Sequence, residues 1–93
     1  MKIEEYSVLL YFPDCPSLKE KRHRTQGLRD HFGRLPQIAV CESGEQDNPV
    51  KALWSFVIVA NDQAAIDQTI SRIDQYLNES VQGMVIDQQR TRL

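Results

Sequence analysis

Lys19, Lys21, Arg22 and Arg24 crowd the start of a segment that opens Ser17-Leu18-Lys19-Glu20, the densest cluster of like charge in the chain. Backbone N–H groups at a helix N-terminus are unpaired and carry partial positive charge, so added cations suit a phosphate or a carboxylate. The expected site is an anion or RNA contact made by Lys19, Lys21, Arg22 and Arg24. Such contacts hold a backbone without reading bases. From Ser17 to Arg34 six Lys/Arg face only Glu20 and Asp30, a local +4 on a chain of net charge −2, which leaves −6 elsewhere. That balance excludes a uniformly basic nucleic-acid protein and favours a localised anionic partner. Lys21 admits a second reading. At about 100° per residue it falls on the apolar stripe of Leu18, Thr25, Leu28 and Phe32, where a lysine can lay its stem over the core rim and keep its charge in water.

Other candidate chemistry is thin. His23 and His31 stand eight residues apart, about 12 Å along a helix, too far to share one metal ion. Cys15 and Cys41 make neither a disulfide framework nor a zinc set, and read as two free thiols. Cys15 precedes a helix start, which favours thiolate, but no histidine is placed to act as its base. No serine triad, glycine-rich phosphate loop or carboxylate pair is recognisable, so neither an enzyme nor a cofactor or metal is expected.

The elements that must position these residues follow from periodicity. Ile3 to Phe12 alternates as a strand and is stopped by Pro13 and Pro16. Ser17 and Glu20 have the spacing of a capping box, predicting a helix from Leu18 to about Phe32, with Gly33 available for a left-handed residue beyond it. Gly27 within it is a local weakness of about 1 kcal/mol relative to alanine. Ile38 to Cys41 form a short strand, Ser43 to Pro49 a polar turn, and Ala52 to Ala60 a central strand rich in β-branched and aromatic residues. Asn61 is the expected cap of a second helix, whose stripe is Ile66, Ile70, Ile73 and Leu77. Met84 to Gln88 make the last strand, extensible through the polar tail.

The order β-α-β-β-α-β, with right-handed crossovers, predicts an α+β ferredoxin-like two-layer sandwich: a four-stranded antiparallel sheet of order 4-1-3-2 with two helices on one face. At this length residues 1–93 form a single domain. The helix-covered face takes Tyr6, Val8, Leu10, Phe12, Trp54, Phe56 and Ile58. The open face takes Ser7, Leu9, Tyr11, Leu53, Ser55, Val57 and Val59. Stacking readout of RNA needs aromatics on both central strands, and Tyr11 is the only one here. An aliphatic open face instead suggests a partner or a second copy, so Leu9, Tyr11, Leu53, Val57 and Val59 are the expected contact surface of a homo-oligomer, most simply a dimer. Apolar runs such as Val8 to Phe12 are far shorter than a membrane span or secretory signal, pointing to the cytoplasm and to no membrane partner.

The string Pro16-Ser17-Leu18-Lys19-Glu20-Lys21-Arg22, with Val59-Ala60-Asn61-Asp62 and Val85-Ile86-Asp87, resembles the YlxP-like family, small bacterial proteins of unknown function, over about residues 3–90. The resemblance implies the ferredoxin-like fold and, for many relatives, genes beside translation and ribosome-maturation factors. It implies no established activity. Ser55 stands where the family's third strand would carry glycine, and Gln88 where an aromatic would follow the aspartate. The arginine-bearing phosphate loop of the acylphosphatases, which share the fold, is missing after the first strand. The expected function is a non-enzymatic binding protein, RNA- or ribosome-associated through its basic helix. The alternative is an oligomeric protein-interaction or small-anion sensing module that uses the open sheet face.

Overall fold

A computed structural model describes Met1–Leu93. The elements are β1 (Lys2–Tyr11), α1 (Leu18–Phe32), β2 (Ile38–Gly44), β3 (Lys51–Ala60), α2 (Gln63–Ser80) and β4 (Met84–Arg92). The strands form one antiparallel sheet of order β2-β3-β1-β4, with both helices packed against a single face. This is the ferredoxin-like arrangement expected from the strand and helix order.

Alternation decides which side chains reach the core. Tyr6, Val8, Leu10 and Phe12 are buried on the helix side of β1, and Ala52, Trp54, Phe56 and Ile58 meet them from β3. Ile66, Ile70, Ile73 and Leu77 close the core from α2. From α1 come Thr25, Leu28, Phe32 and, among them, Lys21.

The ends of the elements follow local chemistry. Ser17 caps α1 by accepting from the Glu20 N–H at 3.1 Å. Gly33 does not go left-handed: its φ is −67°, and its N–H donates to the Arg29 carbonyl in a continuing helical turn. The cap of α2 is Asp62, not Asn61. Its carboxylate accepts from the Ala65 N–H at 2.8 Å, and a charged acceptor is favoured at a helix start. β2 runs three residues beyond Cys41, because a bulge between Glu42 and Gly44 keeps it paired to β3. The left-handed residue of the chain is Glu45, at φ 58° in the turn after β2.

Two glycines lie close to aromatic side chains, and Gly83 is the one held there by packing. A Cβ at Gly83 would lie 2.3 Å from the ring of Phe12, which is wholly buried. A Cβ at Gly27 would lie 2.3 Å from the Tyr76 oxygen, the far end of a half-buried side chain that would have to turn aside to admit it.

Candidate functional site

Lys21 is the largest departure from expectation. It is neither a surface cation nor a rim residue, because its side chain has 0% exposure. Its ammonium lies 3.0 Å from a Glu42 carboxylate oxygen. It donates to the carbonyl of Glu45 at 2.8 Å and of Lys51 at 3.0 Å, with that of Gln46 at 3.4 Å. A buried ammonium requires an opposite charge and acceptors for its protons, and here they come from β2, the turn that follows and the first residue of β3. The left-handed Glu45 sits at the centre of this arrangement. Lys21 therefore fastens the β2–β3 turn to α1, and its charge is spent inside the protein.

Arg24 is also engaged, by Asp14 at 3.2 Å and Glu20 at 3.5 Å. Lys19 and Arg22 remain exposed and make no ion pair. Of the four expected anion contacts, two reach solvent unpaired. His23 and His31 are both on the surface, and His31 stacks on Tyr76 at 4.9 Å. Cys15 is buried, its thiol 3.4 Å from the Ser17 carbonyl, while Cys41 is exposed.

The open face carries Leu9, Tyr11, Leu53, Val57 and Val59, all half-buried by neighbouring strands, but it does not join them into one patch. In register, Leu9 faces Leu53 and Tyr11 faces Lys51 at one end, while Val57 and Val59 lie opposite Glu5 and Ile3 at the other. Between them runs a row of hydroxyls: Ser43 to Ser55 at 2.7 Å and Ser55 to Ser7 at 3.2 Å. Tyr11 also pairs with Met84, and directly opposed residues point to the same face. The Leu9–Tyr11–Leu53 end thus continues onto β4.

β4 is exposed at every position, with Met84 at 51%, Val85 at 37% and Ile86 at 48%. The three consecutive apolar residues were visible in the sequence, and the expected order 4-1-3-2 already put β4 at an edge; that they would lie uncovered was not legible. Arg90 anchors the far half of this strand. It binds the buried Glu4 carboxylate on β1 and, at 2.7 Å, Asp67 on α2. The Arg90 hydrogen bonds, aided by Gln63, hold both carboxyls below their usual range, against the opposing effect of burial. Next to them the buried Tyr6 hydroxyl donates to Asp74, with Gln88 3.1 Å away. Burial and that carboxylate raise the phenol's pKa well above normal.

A groove of about 620 Å³ opens between α1 and β2, lined among others by Arg22, Gln26, Arg29, Glu42, Asp47 and Trp54. Trp54 was expected in the core and is 3% exposed, yet its ring also forms the apolar part of this groove.

The comparisons with known proteins agree with this architecture. No curated protein matches the chain. Among solved structures, a dimeric ferredoxin-like protein from an uncultured marine organism is similar, with a TM-score of 0.61 at 6% identity, covering 100% of this chain and 96% of that one. That likeness is one of fold. The family model described as a protein of unknown function (DUF503) matches residues 3–90. With β-α-β-β-α-β order, helices on one face and a match over nearly its whole length, the chain belongs to the DUF503 family.

Proposed function

We propose that this chain is a non-enzymatic binding protein that works as a homodimer, joined where the open sheet face meets the β4 edge. The observation that carries this reading is the exposure of Met84, Val85 and Ile86 in succession on an edge strand whose outer side has no neighbour. An edge of this kind offers free N–H and C=O groups beside apolar side chains, and proteins rarely leave one uncovered. A two-fold axis normal to the sheet lays β4 antiparallel to its copy and keeps both open faces on one side. The Leu9–Tyr11–Leu53–Met84 corner then meets its counterpart. The similar solved structure is described as dimeric, which supports this reading.

Light scattering across micromolar concentrations tests it. The wild type is expected as a dimer, and Ile86→Lys as a monomer with unchanged helical CD. Val57→Lys lies beyond the serine row and is expected to leave the dimer intact. A monomeric wild type at high concentration overturns the proposal.

A second reading keeps the basic helix as an RNA or ribosome contact. It is supported by Lys19, Arg22, Arg29 and Arg34, exposed on or just beyond α1 without ion partners, and by the resemblance to the YlxP-like family. Three or four phosphate contacts to single-stranded RNA give a log–log salt slope of roughly −2 to −3. Co-sedimentation with ribosomal subunits should then be lost in Lys19→Glu/Arg22→Glu, and binding that is unmoved by this pair removes the reading.

A further inference from the structure

We infer that the groove between α1 and β2 binds a small zwitterion carrying one carboxylate and one ammonium, an α-amino acid either free or as a peptide of two or three residues. Three features of the groove carry this inference.

The first is an unused donor. The indole N–H of Trp54 is buried and has no hydrogen-bond partner, although leaving a buried donor unpaired is costly. Natural cores tolerate few of these, and an unexplained one often marks a ligand or ordered water.

The second is the separation of charge across the groove. On the α1 wall Arg22 and Arg29 have no ion partner, and the Arg29 guanidinium lies 5.7 Å from the centroid of the Trp54 ring. On the opposite wall stand Glu42 of β2, already neutralised by Lys21, and Asp47 from the turn after β2. Asp30 adds a carboxylate on the α1 side. With Asp30 offset by one of the two arginines, the α1 wall keeps a net charge of +1 beside the Trp54 ring, where a carboxylate is favoured, while an ammonium finds Asp47. A polyphosphate backbone would meet the acidic wall. The opposed charges select a ligand that is itself a dipole.

The third is shape. The groove falls within the roughly 300–1,000 Å³ usual for small-molecule sites, and Glu42 in its lining is fastened to α1 by the Lys21 ammonium. It lies along β2, at the opposite edge of the sheet from β4, so dimerisation and ligand binding can fail separately.

Trp54 is the only tryptophan, which makes the test direct. The probes are L-amino acids, dialanine and trialanine, titrated while the indole N–H resonance and the fluorescence of Trp54 are followed. A saturable shift is expected with at least one of these zwitterions. Blocking either end of the active probe, as its N-acetyl form or its amide, should weaken binding about tenfold, the usual worth of a charge-assisted hydrogen bond. Arg22→Gln should do the same, and Asp47→Asn should abolish the difference between the free and acetylated probe. Arg29→Gln removes both charge and cover from Trp54, so Arg29→Lys serves beside it and is expected to retain charge but lose most of the affinity. Circular dichroism confirms that each variant is folded. A Trp54 signal unmoved by every zwitterion at about 10 mM, or moved equally by inorganic phosphate, overturns the proposal.

Discussion

Lys21 shows how a residue can be placed correctly by periodicity and still be assigned the wrong chemistry. The helical stripe put it on the buried face with Thr25 and Leu28, and there it lies. What spacing does not carry is the source of compensation, which arrives from Glu42, Glu45, Gln46 and Lys51, distant in sequence. Replacing it tests that account. Lys21→Met keeps length and apolar stem but strands the Glu42 carboxylate and removes the donor from three carbonyls. The expected loss is about 3 kcal/mol or more, read as a lower melting temperature. Adding Glu42→Gln should recover part of it in a double-mutant cycle. A Lys21→Met protein as stable as the wild type would show that the clamp contributes nothing.

Among the elements, those with strong local signals were legible. The Ser17 cap, the stripe of α2 and the alternation of β1 and β3 all came from residue type and spacing, because each depends on neighbours within a few positions. Ser17→Ala removes an acceptor seen at 3.1 Å and should cost about 1 kcal/mol in thermal or denaturant unfolding. Gly83→Ala should be worse than an ordinary turn substitution, since its new methyl meets the Phe12 ring; overpacking of this kind costs about 1–3 kcal/mol. What spacing did not carry was the anchoring of β4, where Arg90 binds Glu4 and Asp67 across three elements. Its pH dependence has a definite sign. Both carboxyls have folded-state pKa values below their reference values of 4.5 and 3.8. Their stabilisation is fully present above those values and is lost as pH falls through the lower folded ones. The melting temperature should therefore decline as pH drops below about 4.5, and Arg90→Gln should decline less steeply over the same range.

For the molecule as a whole, strand order follows from element order and crossover handedness, which is why the topology was legible. The surfaces were not. The five open-face residues were expected to act together, and the Ser7–Ser55–Ser43 row divides them. Ser55 lies opposite Ser7, and Ser43 reaches it from the β2 bulge, a row that cannot be recognised until register is known. The division has a measurable result: a lysine at Ile86 should dissociate the dimer, whereas one at Val57 should not. Sedimentation of the two variants side by side distinguishes a corner interface from one that uses the entire face, which would dissociate with either.

The Lys21 clamp also bears on the order of events in folding. Its hydrogen bonds span 24, 25 and 30 residues of chain, so they form only after α1 and the β2–β3 hairpin have each taken shape and met. Dehydrating an ammonium is unfavourable until every acceptor is in place, which puts the clamp after the rate-limiting barrier. Interactions made that late act on the rate of escape from the native state and leave the rate of reaching it unchanged. In stopped-flow measurements Lys21→Met should accordingly raise the unfolding limb while the refolding limb overlays that of the wild type. The protein's lifetime in the folded state, more than its speed in attaining it, rests on one lysine.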